Sequence, residues 1–218
     1  HSLRAGHRQR PELSGLDLAD CRGNGDEHHR HVAADEVGDR LAGAGAAVVL
    51  NARNVDKLQA SAQALREQGA TVHALAFDVT EAQAVADAVA KIEAEIGAID
   101  ILVNNAGMQR RAPLQDFEQA HWHELMRTNL DSVFIVGQAV ARHMIARQRG
   151  KIINICPVQS ELGRPGIAPY TASKGAVKML TKGMAIDWGP HGLQVNGLGP
   201  GYFKTELNQA LVDNPEFS

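Results

Sequence analysis

The 218-residue chain is long enough for one globular domain with a substantial core, and 44% of its residues are hydrophobic against 22% charged. Its formal net charge of −3 offers no basic surface for nucleic acid, and no apolar run approaches the length of a membrane span. Cys21 and Cys156 lie far apart without metal-ligand spacing, so we expect neither a disulfide framework nor a zinc site. These features favour a cytoplasmic protein that acts on a small molecule.

The first 40 residues show no regular pattern. Histidines, arginines and acids dominate them and hardly two apolar residues are adjacent before Val32, so we predict no buried strand there. His28, His29 and His31 lack the spacing of a helical or finger site, and we interpret them as a solvated stretch that holds no metal. Because the pattern becomes regular abruptly near Asp39, residues 1–40 form an atypical polar segment that suggests a shifted reading frame or a misassigned start.

From residue 41 onwards, apolar runs alternate with helical patterns. The predicted strands are residues 46–50, 71–77, 99–105, 151–156 and 193–198. Residues 55–68 and 81–97 repeat apolar positions with the helical period. This alternation predicts a doubly wound α/β domain over residues 41–218, with a mostly parallel sheet covered on both faces. Ligands bind outside the carboxyl ends of the strands in such sheets.

Tyr170 and Lys174 form the most informative pair in the sequence. Their spacing of four residues places both side chains on one face of a helix, one turn apart. A phenol has a pKa near 10, and an adjacent ammonium lowers such a pKa by stabilising the phenolate. The pair therefore suits proton transfer to a carbonyl or from an alcohol. The spacing alone also fits an ordinary surface helix, so its context decides.

Several motifs in a fixed order give that context. They are Asp78 in FDVT, the NNAG sequence at 104–107 after a strand, Asn129 in MRTNLDSVF, the Tyr170 and Lys174 pair, and Pro200-Gly201. Each motif alone could be a turn, a helix cap or a loop residue. Together they make residues 41–205 resemble the short-chain dehydrogenase/reductase family. The resemblance implies a Rossmann-like fold and an enzyme that interconverts carbonyls and alcohols with a nicotinamide cofactor.

The resemblance also implies roles for individual residues. Tyr170 would be the proton donor, Lys174 its partner and a ligand of the nicotinamide ribose, and Asn129 the holder of a relay water. The implied cofactor-binding residues are Asp78, Val79, Asn105, Ala106, Gly107, Tyr170, Lys174, Pro200, Gly201, Phe203 and Thr205. Intact relatives are expected to form homodimers or homotetramers.

Arg53 favours NADP(H) over NAD(H). The predicted strand 46–50 runs into Asn51, Ala52 and Arg53 and carries no acid at its end. In such folds an acid at this place binds the ribose 2′-hydroxyl, whereas an arginine accommodates the 2′-phosphate. A simple surface arginine is the alternative.

Finer features resemble the gluconate 5-dehydrogenase-like branch of the family. These are Arg110 and Arg111 directly after NNAGMQ, the segment around VQSELGRPG, and GPGYFKTELN. The likeness implies a sugar-acid or polyol substrate such as gluconate or 5-ketogluconate. The paired arginines could bind its carboxylate, or form a solvated basic loop.

Three departures from the family pattern bear on activity. Pro157 occupies the position of the catalytic serine, thirteen residues before Tyr170, and Ser160 is too far along to be assumed its substitute. The glycine-rich phosphate loop should fall near residues 28–34, after a strand near 20–27, yet neither segment has the expected composition. The carboxyl end also looks truncated. We therefore expect impaired turnover, with a catalytically silent binding or assembly subunit and a non-functional fragment as alternatives.

Overall fold

The computed structural model describes residues 14–18 and 34–200 as a parallel sheet with helices along it. The strands are β1 (Ser14–Leu18), β2 (Ala47–Asn51), β3 (Val72–Ala74), β4 (Ile101–Asn104), β5 (Gly150–Ile155) and β6 (Leu193–Leu198). They pair in the order β3-β2-β1-β4-β5-β6, and every pairing is parallel. This is the doubly wound order, in which the chain reverses direction across the sheet between β1 and β4.

Helices connect the strands, as the alternating pattern predicted. The α-helices are α1 (Ala34–Gly43), α2 (Val55–Glu67), α3 (Ala82–Lys91), α4 (Gln119–Met126), α5 (Ser132–Arg147) and α6 (Ala168–Trp188). The π-helical turns are Ile92–Ile96 and Arg127–Asp131, and the 3₁₀ turns are Leu114–Asp116, Val158–Ser160 and Gly189–His191. The second π turn links α4 directly to α5, so these elements form one continuous helical segment.

The prediction that residues 1–40 contain no strand is wrong. Ser14–Leu18 forms β1, which pairs with β2 on one side and with β4 on the other. The sequence gives little sign of it, because Gly15 and Asp17 interrupt a five-residue strand. Helix α1 also begins at Ala34, inside the segment read as irregular. Whether residues 1–40 arise from a shifted frame stays a prediction.

Two apolar clusters cover the sheet. Val49 belongs to the cluster that includes residues of α3, α5 and α6, whereas its neighbours Val48 and Leu50 belong to the cluster with α2. Since successive strand residues point to opposite faces, β2 is buried on both. Apolar residues on both faces made β2 and β4 predictable, whereas β5 and β6 alternate more buried with more exposed residues over part of their length. Within the described ranges, no helix has the length and apolar character needed to cross a bilayer.

Candidate active site

The parallel strands bring several of the predicted residues to one edge of the sheet. Arg53 follows β2, and Asp78 follows β3 after a short extension. Asn104 ends β4, while Pro157 and Pro200 each lie two residues beyond β5 and β6. This is the edge at which ligands of doubly wound sheets bind.

Asn129 joins the loop after β4 to helix α6. It lies fully buried in the π turn Arg127–Asp131, a local widening that is frequent at functional sites. Its Oδ1 accepts from the backbone N–H of Met108 at 2.7 Å, and its Nδ2 donates to the Met108 carbonyl at 2.9 Å. The same Nδ2 donates to Ser173 Oγ at 3.0 Å, and Ser173 Oγ donates to the Tyr170 carbonyl at 2.7 Å. Asn129 therefore fixes the β4 loop against the helix that carries Tyr170.

Lys174 is buried beneath this junction, with 4% of its surface exposed. Its Nζ donates to the carbonyl of Ile155 at 3.3 Å and lies 6.0 Å from the centroid of the Tyr170 ring. Burial lowers the pKa of Lys174 to about 8, and the nearby Cys156 thiol opposes part of that shift. The structure thus confirms that Tyr170 and Lys174 share one side of a helix.

Gly107 lies against Lys174 and Asn129. A β-carbon on Gly107 would lie 3.5 Å from Lys174 Nζ and 3.4 Å from Asn129 Oδ1. Two residues earlier, the Nδ2 of Asn105 is buried without a hydrogen-bond partner, while Ala106 is buried in the core. An unpartnered buried donor at this loop fits a ligand that supplies an acceptor.

Arg53 and Asp78 meet at the ends of β2 and β3. Arg53 Nη1 lies 3.7 Å from Asp78 Oδ2, while Asp78 Oδ1 accepts from the N–H and the hydroxyl of Thr80. Both residues therefore lie at the edge where an adenosine moiety would be held. The side chain of Val79 is buried in the core, so only its backbone is placed to contact a cofactor.

A series of buried side-chain hydrogen bonds links the end of β4 to helix α6, and the sequence did not predict it. Asn104 Nδ2 donates to Asn154 Oδ1 at 2.8 Å, and Asn154 Nδ2 donates to Thr181 Oγ1 at 2.9 Å. Thr181 in turn donates to the Val177 carbonyl at 2.7 Å. The signal in the sequence was one asparagine in each of two predicted strands. The structure pairs these strands and makes Asn104 and Asn154 register partners.

Pro157 begins the turn that leads towards α6. Its carbonyl accepts from the N–H of Ser160 at 2.7 Å, which closes the 3₁₀ turn Val158–Ser160. Glu161, the next residue, forms an ion pair with Lys178 on α6. The loop is thereby attached to α6, and a buried proline stands where relatives were expected to carry a serine.

The two predicted substrate arginines differ in their surroundings. Arg110 Nη2 donates to Glu124 Oε2 of α4 at 2.9 Å, and its Nε is buried without a hydrogen-bond partner. Arg111 is exposed. The backbone N–H of Ala112 donates to the Gly166 carbonyl at 3.2 Å, so the loop carrying both arginines is bound to the loop preceding α6.

Some predicted residues lie outside the part of the chain that the structure describes. They are Gly201, Phe203 and Thr205, the histidines 28, 29 and 31, and the 28–33 part of the expected phosphate loop. Among the described residues, no group of three histidines, cysteines or acids is arranged to hold a metal ion.

The described residues fit a nicotinamide dinucleotide at two places along the carboxyl edge of the sheet. Arg53 and Asp78 offer charged groups for an adenosine end, while Lys174 lies beside both Gly107 and Tyr170. A phenol close to a buried ammonium can give a proton to a carbonyl oxygen or take one from an alcohol. The arrangement therefore suits hydride transfer coupled to proton transfer.

Comparison with known proteins agrees with this geometry. The family model described as short chain dehydrogenase matches residues 34–216. The chain is similar to the gluconate 5-dehydrogenase of Gluconobacter oxydans (strain 621H), with 61% identity over 178 residues that cover 82% of this chain and 70% of that protein. It is also similar to the 5-keto-D-gluconate 5-reductase of Escherichia coli (strain K12), with 48% identity over 80% of this chain and 68% of that protein.

A solved structure shows the same likeness in three dimensions. It is a gluconate 5-dehydrogenase from Burkholderia cenocepacia J2315 in complex with NADP and tartrate, with a TM-score of 0.81 and 56% sequence identity. The match covers 95% of this chain and 79% of that one.

Proposed function

The chain belongs to the short-chain dehydrogenase/reductase family of oxidoreductases, and we propose that its substrate is a sugar acid of the gluconate and 5-ketogluconate type with NADP(H) as cofactor. The observation that carries this proposal is that Lys174 and Asn129 meet at Gly107, with Lys174 Nζ 6.0 Å from the centroid of the Tyr170 ring. The similarity to a gluconate 5-dehydrogenase and a 5-ketogluconate reductase supports the substrate class.

Three residues divide the chemistry. A bound nicotinamide would supply or accept the hydride at the carbon that changes oxidation state. The Tyr170 hydroxyl gives the proton to the carbonyl oxygen during reduction and receives it during oxidation. Lys174 would stabilise the phenolate form and bind the ribose of the cofactor, while Asn129 holds the loop and would keep a relay water in position.

The choice of cofactor rests on Arg53. Its guanidinium lies at the end of β2 beside Asp78, where a 2′-phosphate would extend from an adenosine ribose. The structural relative with bound NADP supports the same choice. An arginine binds a phosphate through two parallel N–H groups and opposite charge. The neutral 2′-hydroxyl of NADH cannot form that paired interaction.

Arg110 and Arg111 are proposed to bind the substrate carboxylate. Both lie directly after the NNAGMQ sequence, in which Met108 is fixed by Asn129. The tartrate in the related structure is a hydroxylated dicarboxylate, which shares the carboxylate and hydroxyl groups of a sugar acid. A substrate anion would compete with Glu124 for the guanidinium of Arg110.

We propose that this chain turns over more slowly than its relatives. Pro157 offers no hydrogen-bond donor for the substrate oxygen, and residues 28–34 contain no glycine for close approach to a pyrophosphate. A catalytically silent binding or assembly subunit is the second candidate function, favoured by the same two features. A non-functional fragment is the remaining alternative.

Assembly and location complete the proposal. We propose a homodimer or homotetramer, because Phe134 of α5 and both Met179 and Ile186 of α6 are exposed apolar side chains. Sedimentation velocity measures the mass directly. The cytoplasmic location expected from the sequence remains a prediction, which fractionation of the producing cell would test.

The function is tested by following NADPH oxidation with 5-ketogluconate. We expect slow turnover that is lost in Tyr170→Phe, while Ser61→Ala, which also removes one hydroxyl but on α2 away from the site, leaves the rate unchanged. NADPH binding without any turnover would support the silent subunit instead. Absence of both binding and turnover would favour the fragment.

A further inference from the structure

At the proposed adenosine site, after β2 and β3, Asp78 lies beside Arg53. Arg53 Nη1 and Asp78 Oδ2 lie 3.7 Å apart, with 37% and 29% of the two side chains exposed. The other oxygen of Asp78 accepts two hydrogen bonds from Thr80, at 2.8 Å from the N–H and 2.7 Å from the hydroxyl. Because Oδ1 is fixed in this way, Oδ2 is held towards the guanidinium.

Asn51 sets the spacing between the two charges. It is 1% exposed, and its Nδ2 donates to the carbonyls of Leu75 and Phe77, both at 3.0 Å. These bonds attach the segment that leads to Asp78 to the last residue of β2, two residues before Arg53. The pair is therefore positioned by the fold, since two backbone carbonyls and a buried side chain determine where both loops leave the sheet.

We propose that Asp78 is a specificity-determining residue whose carboxylate limits the preference for NADPH over NADH. The inference rests on the proposed function, in which Arg53 receives the 2′-phosphate. An entering phosphate has to share the Arg53 guanidinium with Asp78, and like charges repel. A neutral 2′-hydroxyl meets no such repulsion and does not compete with Asp78 for the guanidinium. Both effects favour NADH relative to NADPH.

Asp78→Asn isolates this effect. Asparagine keeps an oxygen that can accept from Thr80 and removes only the charge beside Arg53. Any contact between residue 78 and the adenine ring is common to the two cofactors and cancels in the ratio of their dissociation constants. The ratio therefore reports on the 2′ position alone.

The experiment measures NADPH and NADH affinity by fluorescence titration of the full chain. Adenosine 2′,5′-bisphosphate and adenosine 5′-monophosphate, followed by calorimetry, probe the adenosine end without the nicotinamide. We expect Asp78→Asn to raise the NADPH preference about three- to fivefold, as for a partly exposed ion pair. Asp56→Asn is the matched control, because Asp56 lies three residues after Arg53 in the first turn of α2. Asp78→Ser gives a second neutral variant.

The possible outcomes are distinct. An unchanged or lower NADPH preference in both Asp78 variants overturns the inference. An equal rise in Asp56→Asn also overturns it, because the effect would then come from the net charge of the protein and not from the position of Asp78. If Arg53→Gln leaves the preference for NADPH over NADH unchanged, or if no probe binds, the proposed role of Arg53 is wrong. The inference about Asp78 is then wrong as well, because it depends on that role. A fall in preference for Arg53→Gln with a rise for Asp78→Asn supports both.

Discussion

The side-chain amide of Asn129 bonds both backbone polar groups of Met108, twenty-one residues earlier in the chain. Its Nδ2 also reaches Ser173, one residue before Lys174. One buried side chain therefore fixes the loop after β4, the π turn and helix α6 relative to one another. These are the three elements that meet at the proposed reaction centre.

Asn129→Ala is expected to destabilise the fold. The change leaves the buried N–H and carbonyl of Met108 without partners, and each lost partner costs about 1–3 kcal/mol. Urea denaturation should show a loss of about 2–4 kcal/mol. Asn54→Ala is the control, because Asn54 caps α2 at an exposed site and its loss should cost about 1 kcal/mol. Equal losses in the two variants would contradict the bridging role.

Thr181 gives a second test of buried hydrogen bonding. Its hydroxyl accepts from Asn154 and donates to the Val177 carbonyl. Thr181→Val keeps the volume and leaves Asn154 Nδ2 without that acceptor, so we expect a loss of about 1–3 kcal/mol by thermal or urea unfolding. Thr181→Ser keeps the hydroxyl and should cost less. The opposite order would mean that packing of the methyl group dominates.

The strands of this fold differ in how far the sequence predicts them. Those from β2 to β6 were predicted from their apolar residues, which run continuously where both faces are buried, as in 46–50, and alternate with polar residues where one face is exposed, as in 193–198. The strand β1 was missed because Gly15 and Asp17 interrupt it. Its place is set by the neighbouring strands β2 and β4, and that information lies far along the chain.

The residues of the site also differ in how far the sequence predicts their contacts. Tyr170 and Lys174 were predictable because helical spacing alone brings them together. The bond between Asn104 and Asn154 joins residues fifty positions apart, and only the register of β4 with β5 makes them neighbours. The pairing of Arg53 with Asp78 likewise depends on how β3 continues past its last paired residue, which no spacing rule reports.

The lowered pKa of Lys174 predicts how stability depends on pH. In the folded chain this lysine loses its proton near pH 8, whereas a lysine in the unfolded chain holds it to about pH 10.4. Between these values the unfolded state binds more protons, so the contribution of Lys174 to stability rises with pH. Between pH 8 and 10 the free energy of unfolding should rise by about 2 kcal/mol more in the unmodified chain than in Lys174→Met.

The control for this measurement is Lys182→Met, because Lys182 is exposed on the same helix. Its pH profile should run parallel to that of the unmodified chain. A parallel profile for Lys174→Met as well would show that the ammonium is hydrated in the folded protein. Urea unfolding at four pH values between 7 and 10 is sufficient to decide.

Replacing residues 19–33 should improve cofactor binding. These residues connect β1 to α1, and the segment lacks the T-G-x-x-x-G-x-G sequence whose amides would face a pyrophosphate at a helix N-terminus. A graft of such a loop that keeps Ser14–Leu18 and Ala34–Gly43 should tighten NADPH binding at least about tenfold, or ~1.4 kcal/mol. A serine-rich graft of equal length is the control. Unchanged affinity would mean that the natural segment already serves this purpose.

Pro157→Ser is expected to raise turnover. Proline has no side-chain or backbone donor, so Tyr170 alone would hold the substrate oxygen in line for hydride transfer. A serine hydroxyl at this position adds a donor that strengthens as charge develops on the oxygen. In the loop-grafted chain at saturating NADPH, kcat with 5-ketogluconate should rise at least about tenfold, or ~1.4 kcal/mol of barrier. Pro157→Ala, which frees the backbone without adding a hydroxyl, should not reproduce the gain.

Adding Tyr170→Phe to Pro157→Ser should abolish the gain, because the serine only positions an oxygen that the tyrosine protonates. Ser160→Ala distinguishes the remaining explanation. If Pro157→Ser leaves kcat unchanged while Ser160→Ala lowers it about a hundredfold, the size expected for a lost donor of this kind, then the hydroxyl of Ser160 already holds the substrate oxygen. Pro157 would in that case be a harmless replacement in a chain of full activity, and the proposed impairment would be wrong.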